Sequence, residues 1–185
     1  MAITYNIQVS KQRVMDEVMK TTEYIGSKAV SREDPDAYNR IAATSANREQ
    51  LDRYWMEGCS GASMLLDHWM TSQTSQVLTH HPELGNDYKA VLAMPTNWPG
   101  QYSTTLHEAL LSYLVNHIVS KWLMQTAPAQ AEGYAALASG AAMQVGQIML
   151  MRKRPTPRRS VRPGESEGNI WHGGDLWVGT NIWGL

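Results

Sequence analysis

The stretch TLHEALLSYLVNHIVSKWLMQ, Thr105–Gln125, decides how the rest of the chain is read. Thr105 and Glu108 stand at the spacing of a capping box, in which hydroxyl and carboxylate each satisfy an exposed amide at a helix start. From Leu110 to Leu123 the segment is apolar nearly all round, which predicts a helix enclosed on every side, the central member of a bundle. Ser112, Asn116, His117, Ser120 and Lys121 interrupt it, so it does not suit a membrane span.

The elements predicted on either side are mostly helical. Pro128 opens a last helix in which Tyr134, Leu137, Ala141, Val145 and Ile148 line one face. Gly133, Gly140 and Gly146 interrupt it, each costing about 1 kcal/mol relative to alanine. Three such costs suggest close backbone approach, within the fold or between subunits. Upstream, Leu51, Trp55, Gly58, Ala62, Leu65 or Leu66, and Trp69 recur at steps of three and four, with small residues where another helix crosses. Asp34-Pro35 reads as an N-cap and first position of a short helix through Tyr38 and Ile41. Ser10 caps a first helix to about Ser27, with Val14, Val18 and Ile25 on one stripe and Gly26 as its stop. Ile3, Tyr5, Ile7 and Val9 alternate as in a short strand or an extended arm. Thr71 to Pro99 is polar and proline-broken, and Tyr88 to Met94 within it reads as a short strand or a loop wall. The expected fold is mainly α: a bundle of about four to five helices with minor β, namely short N-terminal and central strands, and an extended C-terminal arm.

Composition agrees with a packed core. The chain has 185 residues, 43% of them hydrophobic, and a formal charge of −1. The balance argues against whole-molecule attraction to nucleic acid or membrane and leaves room for a local patch. Cys59 is the single cysteine, so intrachain disulfides and cysteine-rich zinc sites are excluded. Its apolar helical setting predicts a buried, inert thiol. Met1 to Ser10 lack the basic start and apolar run of a secretory signal, and the expected place of synthesis is a cytoplasm.

Character changes after Met151. Arg152, Lys153, Arg154, Arg158, Arg159 and Arg162 fall among Pro155, Pro157 and Pro163, with no acid before Glu165. Proline this dense excludes a helix and favours extended chain. Residues 1–151 are thus the core domain, 152–168 an Arg/Pro-rich linker, and 169–185 an arm. The linker has two readings: a solvated hinge, or a weak anionic contact with nucleic acid or an acidic neighbouring subunit.

The arm is a repeat of period six: Asn169-Ile170-Trp171, Asp175-Leu176-Trp177, Asn181-Ile182-Trp183, with Gly173 and Gly179 also in phase. Six is even, so in an extended strand Trp171, Trp177 and Trp183 share one face and Ile170, Leu176 and Ile182 the other. Successive indoles would stand about 20 Å apart, too far to stack and suited to separate pockets. One reading folds the arm back on its own domain as an edge strand or hairpin. The favoured reading orders it on a partner through those six side chains, since tryptophan is the strongest hot-spot residue. Three equal units further suggest a partner with repeated, threefold pockets.

A search for chemistry returns little. His80-His81 with Glu83 and His68 is the one cluster resembling metal ligands, and it lacks a helical i, i+4 pair. His107 and His117, ten apart on the central helix, fall on different faces or turns. Paired carboxylates, a nucleophile elbow and a phosphate-cradling glycine loop are absent, so the expectation is a non-enzyme without cofactor.

Short strings along the core resemble a family. Ser10-Lys11-Gln12-Arg13-Val14, Asp36-Ala37-Tyr38-Asn39-Arg40-Ile41, Arg53-Tyr54-Trp55, Leu110-Leu111-Ser112-Tyr113-Leu114-Val115, Ser120-Lys121-Trp122 and Arg152-Lys153-Arg154-Pro155 follow in order. They resemble small helical virion proteins of tailed phages and prophages of Bacteroides-like bacteria, and the layout over residues 1–156 is similar to head–tail connector (adaptor) proteins. The resemblance implies a virion location and a ring of about a dozen copies beneath the portal, close to packaged DNA. It implies contacts with the portal and other neck or tail proteins, and the arm would suit docking of a trimeric fibre. The alternative is a small regulatory or nucleic-acid adaptor using the Arg-rich stretch.

Overall fold

A computed structural model describes residues 2–32, 34–71 and 87–153 of the chain. It is mainly helical with one two-stranded antiparallel sheet. In chain order the elements are β1 (Ala2–Val9), α1 (Lys11–Ala29), the short α2 (Ala37–Ile41), α3 (Arg48–Leu66), β2 (Tyr88–Pro95), α4 (Ser103–Thr126) and α5 (Pro128–Leu150).

Helix α4 is central, as its sequence predicts. It packs against α1, α2, α3, α5 and β1, and no residue from Ala109 to Leu123 is exposed. Leu110, Leu114, Ile118 and Leu123 are wholly buried. The capping box is not how this helix begins. A 3₁₀ turn, Gly100–Tyr102, leads straight into Ser103, so Thr105 already lies inside the helix. Glu108 reaches out to Arg13 of α1 at 3.3 Å instead.

The first helix carries its stripe, with Val14 and Val18 fully buried and Ile25 nearly so. Thr22 completes the stripe as a buried polar member. Its Oγ1 donates to the Val18 carbonyl at 3.0 Å and accepts the Ala43 amide at 3.0 Å, tying α1 to the turn after α2. Ser10 occupies the N-cap position without a side-chain bond to the helix amides, and Asp87 accepts the Lys11 amide at 3.0 Å in its place. Gly26 does not stop the helix, which runs to Ala29. A Cβ there would stand 3.3 Å from the Tyr38 backbone, so the glycine lets α2 pass close. Asp34-Pro35 lies in the turn before α2, whose N-cap is Asp36, and Asp34 pairs with Arg40 at 2.5 Å.

Helix α3 buries Leu51, Trp55, Gly58, Ala62 and Leu66 of the expected seam and ends there, whereas Trp69, expected as its last member, lies in the following 3₁₀ turn Asp67–Trp69 and is only partly buried against the core. The close crossing is with α4: a Cβ on Gly58 would meet Leu114 at 3.1 Å and His117 at 3.4 Å. Tyr88 to Pro95 is a strand, pairing with β1 from Val9↔Tyr88 to Ala2↔Pro95. Tyr88, Ala90, Leu92 and Met94 alternate inward with period two, as a half-buried strand requires. On β1 the inward face is closed by Ile7 and Val9, while Ile3 is exposed. No helix among the described residues is long and apolar enough to cross a membrane.

Candidate assembly surface

Helix α5 sits at the margin of the bundle. A single residue, Ala127, joins it to α4, and the two helices form a tight hairpin. Its inner face buries Ala131, Ala138, Ala141, Val145, Ile148 and Met149. The expected face included Leu137, and here the structure differs. Leu137 is 57% exposed, because small alanines at 131 and 138 bring the α4 contact round to their side.

The outward face is unusual for a helix in contact with water. Glu132 is the sole acidic or basic residue between Pro128 and Leu150. Leu137, Met143 and Leu150 are more than half exposed. Large apolar side chains exposed along a helix with a single charge mark an interaction surface more often than bare solvent contact. The glycines add to this. A Cβ on Gly133, Gly140 or Gly146 would meet nothing within 4 Å among the described residues. Close approach of another described residue therefore does not explain them, in contrast to Gly58.

The end of α5 is pinned. Trp98, just past β2, is buried, and its indole Nε1 donates to the Ile148 carbonyl at 3.0 Å. The same ring meets Tyr5 of β1 edge-on, with centroids 4.9 Å apart. The Lys153 amide donates to Asn97 O at 2.7 Å. Arg152 donates from Nη1 to the Met149 and Met151 carbonyls at 2.9 and 2.7 Å, capping the helix. Of the predicted anionic contacts, Arg152 and Lys153 are thus placed at one exposed spot, where α5 ends. Arg154, Arg158, Arg159 and Arg162 lie outside the described residues, as do Ile170, Trp171, Leu176, Trp177, Ile182 and Trp183 and the linker and arm boundaries.

Other polar groups are engaged locally. Lys11 Nζ and Asp52 Oδ1 form a buried ion pair at 2.8 Å, flooring a cleft of about 240 Å³ with Met15, Met19 and Asp87. At its rim, Asp87 accepts from Gln8 at 2.7 Å; this bond and the Lys11 amide hold its carboxyl below the ordinary aspartate range. His117 is half-buried between α3 and α4, 3.9 Å from Glu57, which Lys121 also approaches at 2.6 Å. Desolvation lowers its pKa, and Glu57 only partly opposes this. His107 bonds the Gln8 carbonyl at 2.9 Å, so the two histidines serve separate contacts. Burial pushes the Cys59 thiol up to about 12, fitting the inert role expected of it. His68 stands edge-on to Trp69, while His80, His81 and Glu83 lie outside the described residues. Among the described residues no group of three or more His, Cys, Asp or Glu is placed to hold a metal.

No protein-family model, curated protein or solved structure matches the chain.

Sequence reasoning missed the outward face of α5. The signal was present as the near-absence of charge over the whole helix, but the same feature reads equally as a fully enclosed helix. The part played by Trp98 was also hidden, since it stands alone in a proline-broken stretch with no periodicity to place it.

Proposed function

We propose that this protein is a non-enzymatic structural component that works by assembling with copies of itself. Its setting is the head–tail connector of a tailed-phage virion, as a ring of about a dozen copies below the portal. The Trp-repeat arm, through Ile170, Trp171, Leu176, Trp177, Ile182 and Trp183, docks on neighbouring subunits or on a tail or fibre protein. Arg152, Lys153, Arg154, Arg158, Arg159 and Arg162 face an acidic neighbour or the passing DNA.

The observation that supports assembly is the outward face of α5, 23 residues of helix with one charged side chain. Left in water, such a face is an aggregation liability; covered by protein, it is ordinary. The connector setting rests on the resemblance of the core strings. Electron microscopy and native mass spectrometry of the full chain, alone and with portal protein, test both. Rings are the expected result. A strict monomer under all conditions, portal included, refutes self-assembly, and a closed oligomer that ignores portal refutes the connector setting alone.

A further inference from the structure

We infer that the outward face of α5 takes the same face of a second copy, the two helices lying antiparallel about a two-fold axis near Gly140. This rests on the reading of α5 as an assembly surface and goes further by naming partner, register and direction.

The exposed positions Ala129, Gly133, Ala136, Gly140, Met143, Gln147 and Leu150 recur at steps of four and three. That is the spacing of a seam between two paired helices, displayed on the side turned away from the molecule's own core. The seam is uneven in a way that selects direction. Its first half is small (Ala129, Gly133, Ala136, Gly140) and its second half carries Met143 and Leu150. Antiparallel pairing sets the bulky half of one helix over the small half of the other. Parallel pairing would set bulk on bulk and gap on gap.

Charge selects the same arrangement. Glu132 lies in the first turns of α5, and the exposed Arg152 and Lys153 stand at its far end. Antiparallel copies bring the acid of one to the basic end of the other, and they also oppose the two helix dipoles favourably. A parallel pair would gather like charges at both ends. The open surroundings of Gly133 and Gly140 leave room for a second backbone, which accounts for glycines that cost helix stability and serve no contact among the described residues.

The contact is small. A helix this long extends about 35 Å, and a strip about 10 Å wide along it covers some 350 Å² per copy, roughly 700 Å² in all, below the size of a strong standing interface. Because a two-fold contact closes on itself, it pairs subunits rather than generating a ring. It therefore belongs beside the ring contact, as a weak association best caught covalently.

Disulfide trapping on the full chain provides the test. Gly140→Cys places two thiols at the axis, whereas the two copies of Ala129→Cys would stand about 33 Å apart. Cys59 is buried and supplies no competing thiol. Under mild oxidation Gly140→Cys is expected to form a disulfide dimer and Ala129→Cys to remain monomeric. A mixture of Ala129→Cys and Met151→Cys should cross-link to each other. Adding Met143→Lys, which puts two like charges across the axis, should slow the Gly140→Cys reaction about tenfold or more. Circular dichroism verifies that each variant is folded. Self-cross-linking of Ala129→Cys as fast as Gly140→Cys overturns the antiparallel direction, and failure of both overturns the pairing. Rings without the Gly140→Cys dimer would leave assembly standing and remove this contact. The dimer without rings would keep this contact and remove the ring.

Discussion

Replacing Lys11 by methionine isolates the one ion pair buried on both sides among the described residues. Lys11 Nζ lies 2.8 Å from Asp52 Oδ1, and the two side chains are 8% and 6% exposed. Truncating the cation alone leaves a carboxylate buried without its partner, which typically costs 3–5 kcal/mol, to order of magnitude about 4. Arg48 stands 4.0 Å from the other Asp52 oxygen, but its side chain is 73% exposed, so it compensates only in part. The expected loss is therefore near the lower end, about 3 kcal/mol. Lys11→Met keeps the aliphatic stem and the backbone amide that bonds Asp87, so the loss reads out charge rather than shape. Removing both charges in Lys11→Met/Asp52→Leu should return the protein to within about 1 kcal/mol of the parent, because no unpaired charge remains. Equilibrium urea unfolding at pH 7, followed by tryptophan fluorescence, measures all four members of this cycle. A single substitution costing under about 1 kcal/mol would refute the reasoning. So would a double variant no more stable than the single one.

Two further outcomes follow from glycine surroundings and from titration. Gly133→Ala should raise stability by about 1 kcal/mol in the same urea assay at low protein concentration, since a helix gains and nothing is displaced. His117 has a folded pKa below its usual 6.5, so the unfolded chain binds more protons in the window between the two values. Its contribution is complete above pH 6.5 and declines as pH falls through that window toward the folded value. A His117→Gln variant should show a flatter stability profile over the same range, and an unchanged slope would exclude this histidine as the source.

Much of the architecture was readable from pattern. The run Leu110–Leu123 is apolar nearly all round, with only Ser112, Asn116, His117, Ser120 and Lys121 between its apolar residues, and enclosure suits such a helix, so its central place follows. The alternation of Ile3 to Val9 and the seam read from Leu51 to Trp69 are likewise properties of period; the strand stands, and the seam stands as far as Leu66, where the helix ends before Trp69. What failed were local inferences from one or two residues. Thr105 with Glu108 matched a capping box, yet the helix starts two residues earlier and Glu108 turns to Arg13. Gly26 matched a helix stop, yet it marks the passage of α2. A cap or stop motif describes a choice between local partners, and a distant group that binds better overrides it.

The candidate site divides along the same line. The hexad of Ile170 to Trp183 is a matter of sequence alone, since an even period puts three indoles on one side of any extended chain. The near-absence of charge across Pro128–Leu150, with Glu132 alone, was equally visible, but its meaning was not. A helix without charge is enclosed if neighbours surround it and sticky if they do not, and periodicity is blind to neighbours. Only the tertiary arrangement, in which α4 takes the centre and leaves α5 covered on one side, turns that composition into an exposed surface. The buried Lys11–Asp52 pair is of the same kind: 41 positions of chain separate its members, and folding alone brings them within 2.8 Å.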